Sequence, residues 1–248
     1  MNIGQLIPIF IPLTAAHFVA DFLIQSDQSI QIKNKLWILI KGGLIVGLLS
    51  YIFLGILTAW DIILGIIISQ ILLDAWKIKT TKGTQLSRFA GDQLGHILII
   101  FFISAAAGGY KYLDYSSIWE NLFGLIYLRL LTLIAGGIFS IYAVSFLVEL
   151  VLQSLGLKKK DDQGGGIKEG GKIIGYLERS LILLFILVDY PAGIGYLIAA
   201  KSVFRFGELT SPDRRIQAEY IIIGTLLSVL FGTLAAYLTA QTLFLLTP

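Results

Sequence analysis

Two histidines and three aspartates are spaced for shared chemistry within the first 96 residues. His17 and Asp21 form an i,i+4 pair, as do Asp92 and His96, so each pair lies on one helical face. Asp74 follows Gln70 at the same spacing. Imidazole nitrogen with carboxylate oxygen is a ligand set for Zn²⁺, Mn²⁺ or Fe²⁺. All five residues fall in or beside apolar runs, where an ionisable group is costly unless something partners it. The expected site is therefore a divalent metal held by His17, Asp21, Asp74, Asp92 and His96. One of Asp21, Asp74 and Asp92 would instead act as a general base. Lys41, Gln70, Gln25 and Gln93 are expected around it as substrate or charge partners. The plainer alternative is a set of interfacial ion pairs and helix caps. Asp92 falls in a first helical turn, where negative charge is favoured, and Asp74 lies close enough to Lys77 for a surface pair.

The elements that must position these groups are apolar helices. Of 248 residues, 56% are hydrophobic and 14% charged, and the mean hydropathy is +0.82. A soluble domain carries about 25% charged residues, so most of this surface must face lipid. The chain has no cysteine, which excludes disulfides, thiolate ligands and a Cys nucleophile. Its formal charge of +3 does not suggest nucleic-acid binding. A span needs roughly 20 apolar residues. Runs at 3–25, 36–57, 60–77, 88–107, 120–152, 172–190, 192–206 and 212–246 meet or approach that length. The expected fold is an all-α polytopic membrane protein of about eight transmembrane helices in two halves, 1–112 and 117–248. Ser117 with Glu120 reads as a capping box, and Ser211-Pro212 as an N-cap with proline at the first helical position. Helices six and seven are short, and with Pro191 between them a re-entrant pair is the alternative. Trp37, Trp60, Trp76 and Trp119 fall at helix ends as interfacial anchors.

Seventeen of the 19 lysines and arginines fall in alternate loops. The positive-inside rule puts those loops in the cytoplasm and both termini outside the plasma or inner membrane. The Gly- and Lys-rich loop 157–172 is then cytoplasmic, a flexible linker between the halves. With this orientation the His/Asp groups share one depth, near the cytoplasmic surface, and Lys41 joins them. Gly91 and Gly95 form a small-xxx-small pair that would admit a close neighbour.

Other signals are weaker. Gly166 to Lys172 fits G-x-x-x-x-G-K, but Ile173 stands where a phosphate loop needs a hydroxyl. Glu178 and Arg179, and Lys201, Arg205 and Glu208, read as solvated pairs or lipid-headgroup contacts, with an anionic ligand as the alternative. Glu149 is a candidate to join the first-half site, and Arg129 is expected to pair internally or reach the outer interface.

Three stretches resemble one family. They are His17-Phe-Val-Ala-Asp21-Phe-Leu-Ile-Gln25, Leu72-Leu-Asp74-Ala-Trp-Lys77 and Phe89-Ala-Gly-Asp92-Gln93-Leu-Gly-His96. The chain here is similar to bacterial multi-pass membrane proteins grouped as domain of unknown function 3307, over about its first 110 residues. The second half resembles longer members through Gly175-Tyr-Leu-Glu178-Arg179 and Ala199-Ala-Lys201-Ser-Val-Phe-Arg205-Phe. The resemblance implies further histidines near the start of helix two and one turn before Asp74. Here those places hold Lys41 and Gln70, which removes two ligands and adds a positive charge. The arrangement is also similar, by loose analogy, to membrane-bound metal-dependent hydrolases.

The leading functional expectation is a membrane-embedded, metal-dependent hydrolase of a phosphate- or lipid-like substrate. The alternatives are an ion- or proton-coupled transporter or channel, and a non-catalytic receptor or assembly partner with a degenerate site. Expected partners are membrane lipids and either a second copy or another membrane protein.

Overall fold

A computed structural model of the chain describes residues 3–25, 35–79, 83–110, 117–157, 170–205 and 215–247. Every element among them is helical. The helices are α1 (Ile3–Val19), α2 (Lys35–Leu54), α3 (Trp60–Lys79), α4 (Gln85–Tyr110), α5 (Ile118–Phe123), α6 (Leu125–Ile138), α7 (Val144–Ser154), α8 (Gly170–Leu187), α9 (Ala192–Arg205) and α10 (Arg215–Leu245). A π-helical turn, Ala20–Ile24, continues α1, and a second, Phe139–Ala143, joins α6 to α7. Five stretches are long and apolar enough to cross a membrane: Leu6–Ile24, Trp37–Leu54, Gln85–Gly108, Leu125–Ser154 and Glu219–Leu245. Eight were expected. Of the others, α3 carries Asp61, Asp74, Lys77 and Lys79, α8 carries Lys172, Glu178 and Arg179, and α9 is short. The loop 158–169, most of the expected linker, lies outside the described residues, as does Ser211-Pro212.

The outer surface is apolar where that of a soluble protein is polar, and several polar groups lie inside. His17, Gln70, Asp92 and His96 are buried, while Leu48, Leu72, Leu94 and Phe102 are more than 60% exposed. Trp37, Trp60 and Trp76 are exposed at helix ends. Apolar outer faces with polar groups inside are what a lipid solvent selects.

The chain divides into two compact units, Met1–Ala135 with Leu246–Pro248, and Gly136–Leu245. In the first, α1 packs on α2 and α4, and α3 packs on α2 and α4. Leu13, Val46, Leu54, Ile66 and Ile100 form its core. The close approach is made by Gly43 and Gly47 of α2. A Cβ at Gly43 would lie 2.7 Å from Ile71 Cγ1 and 3.3 Å from the Ile67 carbonyl. Gly91 and Gly95, expected to play this part, do not. Gly91 has nothing within 4 Å, and Gly95 meets only Leu73 of α3 at 3.5 Å, an ordinary van der Waals contact that leaves room for a side chain. Gly43→Leu should therefore lower the thermal stability of detergent-solubilised protein by about 1–3 kcal/mol, the usual cost of overpacking. Gly91→Leu should leave the melting curve unmoved, and equal effects from the two would refute this packing.

The C-terminal carbonyls of α2 have no partners within their own helix. Elements further along the chain supply them. Trp119 Nε1 donates to the Ile52 carbonyl at 2.6 Å, the Ile118 amide donates to Gly55 at 3.0 Å, and the Tyr127 hydroxyl donates to Phe53. Gly55 has φ +64°, and any side chain there would strike Trp119 and Ser117. Ser117 caps α5 by accepting from the Trp119 amide at 3.2 Å. The single helix expected over 120–152 is broken at Gly124, φ +57°, so α5 is a separate turn.

In the second unit, Val144, Val148 and Leu152 of α7 pack on α10 through Ala235. Ile182, Ile194 and Ala236 join α8, α9 and α10. The α8–α9 turn is four residues long and turns at Asp189, φ 55°, so α8 and α9 are separate helices either side of Pro191.

Candidate functional site

The site lies in the first unit, at the ends of α1 and α3 and the start of α4. Three aspartates there share one arrangement. Asp92 gives Oδ2 to Lys77 Nζ at 2.6 Å and turns Oδ1 to His96 Nε2 at 3.5 Å. Asp74 accepts from Gln70 Nε2 on Oδ2 at 3.3 Å and turns Oδ1 to the same His96 Nε2 at 3.9 Å. Asp21 accepts from Gln93 Nε2 on Oδ2 at 3.3 Å and turns Oδ1 to His17 Nδ1 at 3.7 Å. Each carboxylate is thus oriented through one oxygen and presents the other to an imidazole. The two imidazoles lie 4.8 Å apart, centre to centre. His17 is fully buried and His96 is 4% exposed.

Local backbone makes this possible. The i,i+4 spacing stacks His96 over Asp92 on α4. At the end of α1 the helix widens, and the Gln25 amide donates to Ala20, five residues back, at 2.9 Å. Isolated π turns of this kind are frequent at functional sites. Gln25 then reaches α2, where a Cβ on Gly42 would lie 3.2 Å from its Oε1 and 4.0 Å from Asp74 Oδ2. Glycine at 42 leaves that room.

All five expected ligand residues come together, with Gln25, Gln70 and Gln93 beside them. Lys41 does not join: it is exposed on α2 and makes no ion pair among the described residues. Its place as the local cation is taken by Lys77, which pairs with Asp92 rather than with the nearer Asp74. No spacing rule points to that pair, because Lys77 and Asp92 lie on different helices and a long stem bridges them.

Two ligands of one ion with bonds of about 2.0–2.2 Å lie about 3–4 Å apart. The His96–Asp92 and His96–Asp74 separations fall in that range. One ligand atom from each of Asp74, Asp92 and His96 lies within 4.8 Å of the others. Among the described residues His96 Nε2 is met only by these two carboxylates, at 3.5 Å and 3.9 Å. These residues fit a divalent cation.

Residues 9–121 match the family described as Protein of unknown function (DUF3307). That stretch is a DUF3307 domain. It contains His17, Asp21, Asp74, Asp92 and His96 and falls wholly within the first unit. No curated protein and no solved structure matches the chain.

Outside the DUF3307 domain, the second unit holds charges that the sequence places in solvent. Glu178 and Arg179 are 9% and 3% exposed instead. Lys201 Nζ pairs with Glu178 at 2.6 Å. Arg179 donates to the Ile141 carbonyl at 3.1 Å and to Ser228 Oγ at 2.8 Å. Glu149 is exposed and accepts from Gln153 at 3.3 Å. Arg129, in the first unit, pairs internally, donating to the Leu246 carbonyl at 2.9 Å.

Proposed function

We propose that the DUF3307 domain binds a divalent cation through Asp74, Asp92 and His96 and is the catalytic part of an integral membrane hydrolase. Its substrate is a phosphate- or lipid-like compound reached from the cytoplasmic leaflet. The observation that carries this reading is the convergence of one oxygen each of Asp74 and Asp92 on His96 Nε2, with Asp74 oriented by Gln70 through its other oxygen. Partners that orient ligands in this way are typical of metal sites. A divalent ion supplies charge to polarise a phosphoryl oxygen and to activate water. Asp74 and Asp21 are partly exposed, so a substrate has an approach on their side. Lys41, exposed one residue from Gly42, would attract an anionic headgroup in this reading. The basic-residue pattern supports a plasma- or inner-membrane protein with both termini outside, with lipids and a second copy or another membrane protein as partners.

The test is elemental analysis of purified protein, native against His96→Ala, with release of phosphate from phosphatidic acid in mixed micelles. Native protein should carry a transition metal and release phosphate, and the variant should lose both. Lys77 on Asp92 favours a second reading, in which the lysine replaces the metal charge and the domain is a non-catalytic membrane partner. Metal-free native protein, inactive after loading with Zn²⁺ or Mn²⁺, would select that reading.

A further inference from the structure

His17 is fully buried, and among the described residues its ring nitrogens meet no partner at full hydrogen-bond geometry, the Gln93 side chain and Asp21 being their loose polar neighbours. A neutral imidazole has one donor and one acceptor to satisfy, and buried polar groups are paired in the large majority of cases. The gap is not confined to the ring. Gln93 Oε1 and Thr14 Oγ1 are also buried without partners, and Thr14 lies one turn before His17 on the same face of α1. Asp21 Oδ1 stands 3.7 Å from His17 Nδ1, while its other oxygen is held by Gln93. This repeats the arrangement at His96: an oriented carboxylate, an imidazole nitrogen facing it, and the spacing of two ligands on one ion.

We propose that the DUF3307 domain holds a second divalent cation, bound by His17 and Asp21 with the Gln93 amide oxygen beside them, so that the site is binuclear. The inference rests on the single-metal reading of Asp74, Asp92 and His96. The two imidazole centres are 4.8 Å apart, which puts the two sets of ligands side by side, as paired catalytic ions require. Adjacent cations select a substrate whose oxygens can bridge them, as those of a phosphate ester do. The π turn has a role in this. It widens the helix at Asp21, the residue that must face His17 while accepting from α4.

Mn²⁺ is the probe. Purified full-length protein in detergent is loaded, freed of excess ion, and read by elemental analysis and electron paramagnetic resonance. Native protein should hold two Mn²⁺ per chain with a spin-coupled spectrum. His17→Ala should hold one, with the spectrum of an isolated ion. One Mn²⁺ per native chain, uncoupled and unchanged in His17→Ala, overturns the second site and leaves the first standing. No Mn²⁺ on native protein overturns both. The native stoichiometry decides the matter even if His17→Ala fails to fold.

Discussion

Asp92→Asn should weaken divalent-cation binding by more than about 100-fold, beyond the loss typical of removing an orienting partner. Asp92 is the residue that touches both Lys77 and His96. Asparagine keeps its shape and removes its charge. Lys77 is 45% exposed along its side chain, so it returns to water without a large penalty. The metal-free protein should therefore melt within about 1 kcal/mol of native, as breaking a part-exposed ion pair allows. Affinity, measured by competition with a chelating dye, should fall while the fold persists. Lys77→Met should act in the opposite direction. It removes a positive charge from the carboxylate that an incoming cation needs, and affinity should rise by on the order of tenfold. If Lys77→Met weakens binding instead, the lysine supports the site and does not compete for it.

Arg179→Ala should destabilise the second unit by about 3–5 kcal/mol, the sum of two hydrogen bonds from a buried charged donor. The guanidinium bridges three elements: α8, which carries it, the π turn through Ile141, and α10 through Ser228. Its slot is lined by glycine. A Cβ at Gly175 would sit 3.2 Å from its terminal nitrogens, and one at Gly232 would sit 3.3 Å from its Cγ. Truncation removes the two bonds and leaves the stem's volume empty. Arg179→Lys should not restore stability, because an ammonium cannot reproduce the planar fork of donors. Ser228→Ala removes one bond and should fall in between. Thermal unfolding in detergent reads all three, and a native-like Arg179→Ala would refute a structural role for the guanidinium.

How far each feature was legible follows from its range along the chain. Helices came from apolar runs, and the pairing of His17 with Asp21 and of Asp92 with His96 came from local spacing. The convergence of α1, α3 and α4 was readable because charges in apolar runs at one depth need one another. What failed depended on faces and distant partners. Gly91 and Gly95 have the same spacing as Gly43 and Gly47, and spacing does not say which glycines meet a neighbour. Adjacent opposite charges at 178 and 179 look solvated until Lys201, Ile141 and Ser228 are brought beside them from three other elements. Lys77 looked local to Asp74, but its stem crosses to α4. The break at Gly124 was missed because the apolar run continues through it.

The bond from Arg129 to the Leu246 carbonyl spans 117 residues. A ribosome therefore makes the donor long before it makes the acceptor. Throughout that interval the guanidinium, on an apolar helix, has to be kept satisfied by water or by another partner. Chains released before position 246 would expose this unmet donor to quality control. Fusions or truncations at the C-terminal end should therefore be judged first by whether they leave that carbonyl in place, and pulse-chase turnover of chains ending at 240 and at 248 would measure the difference.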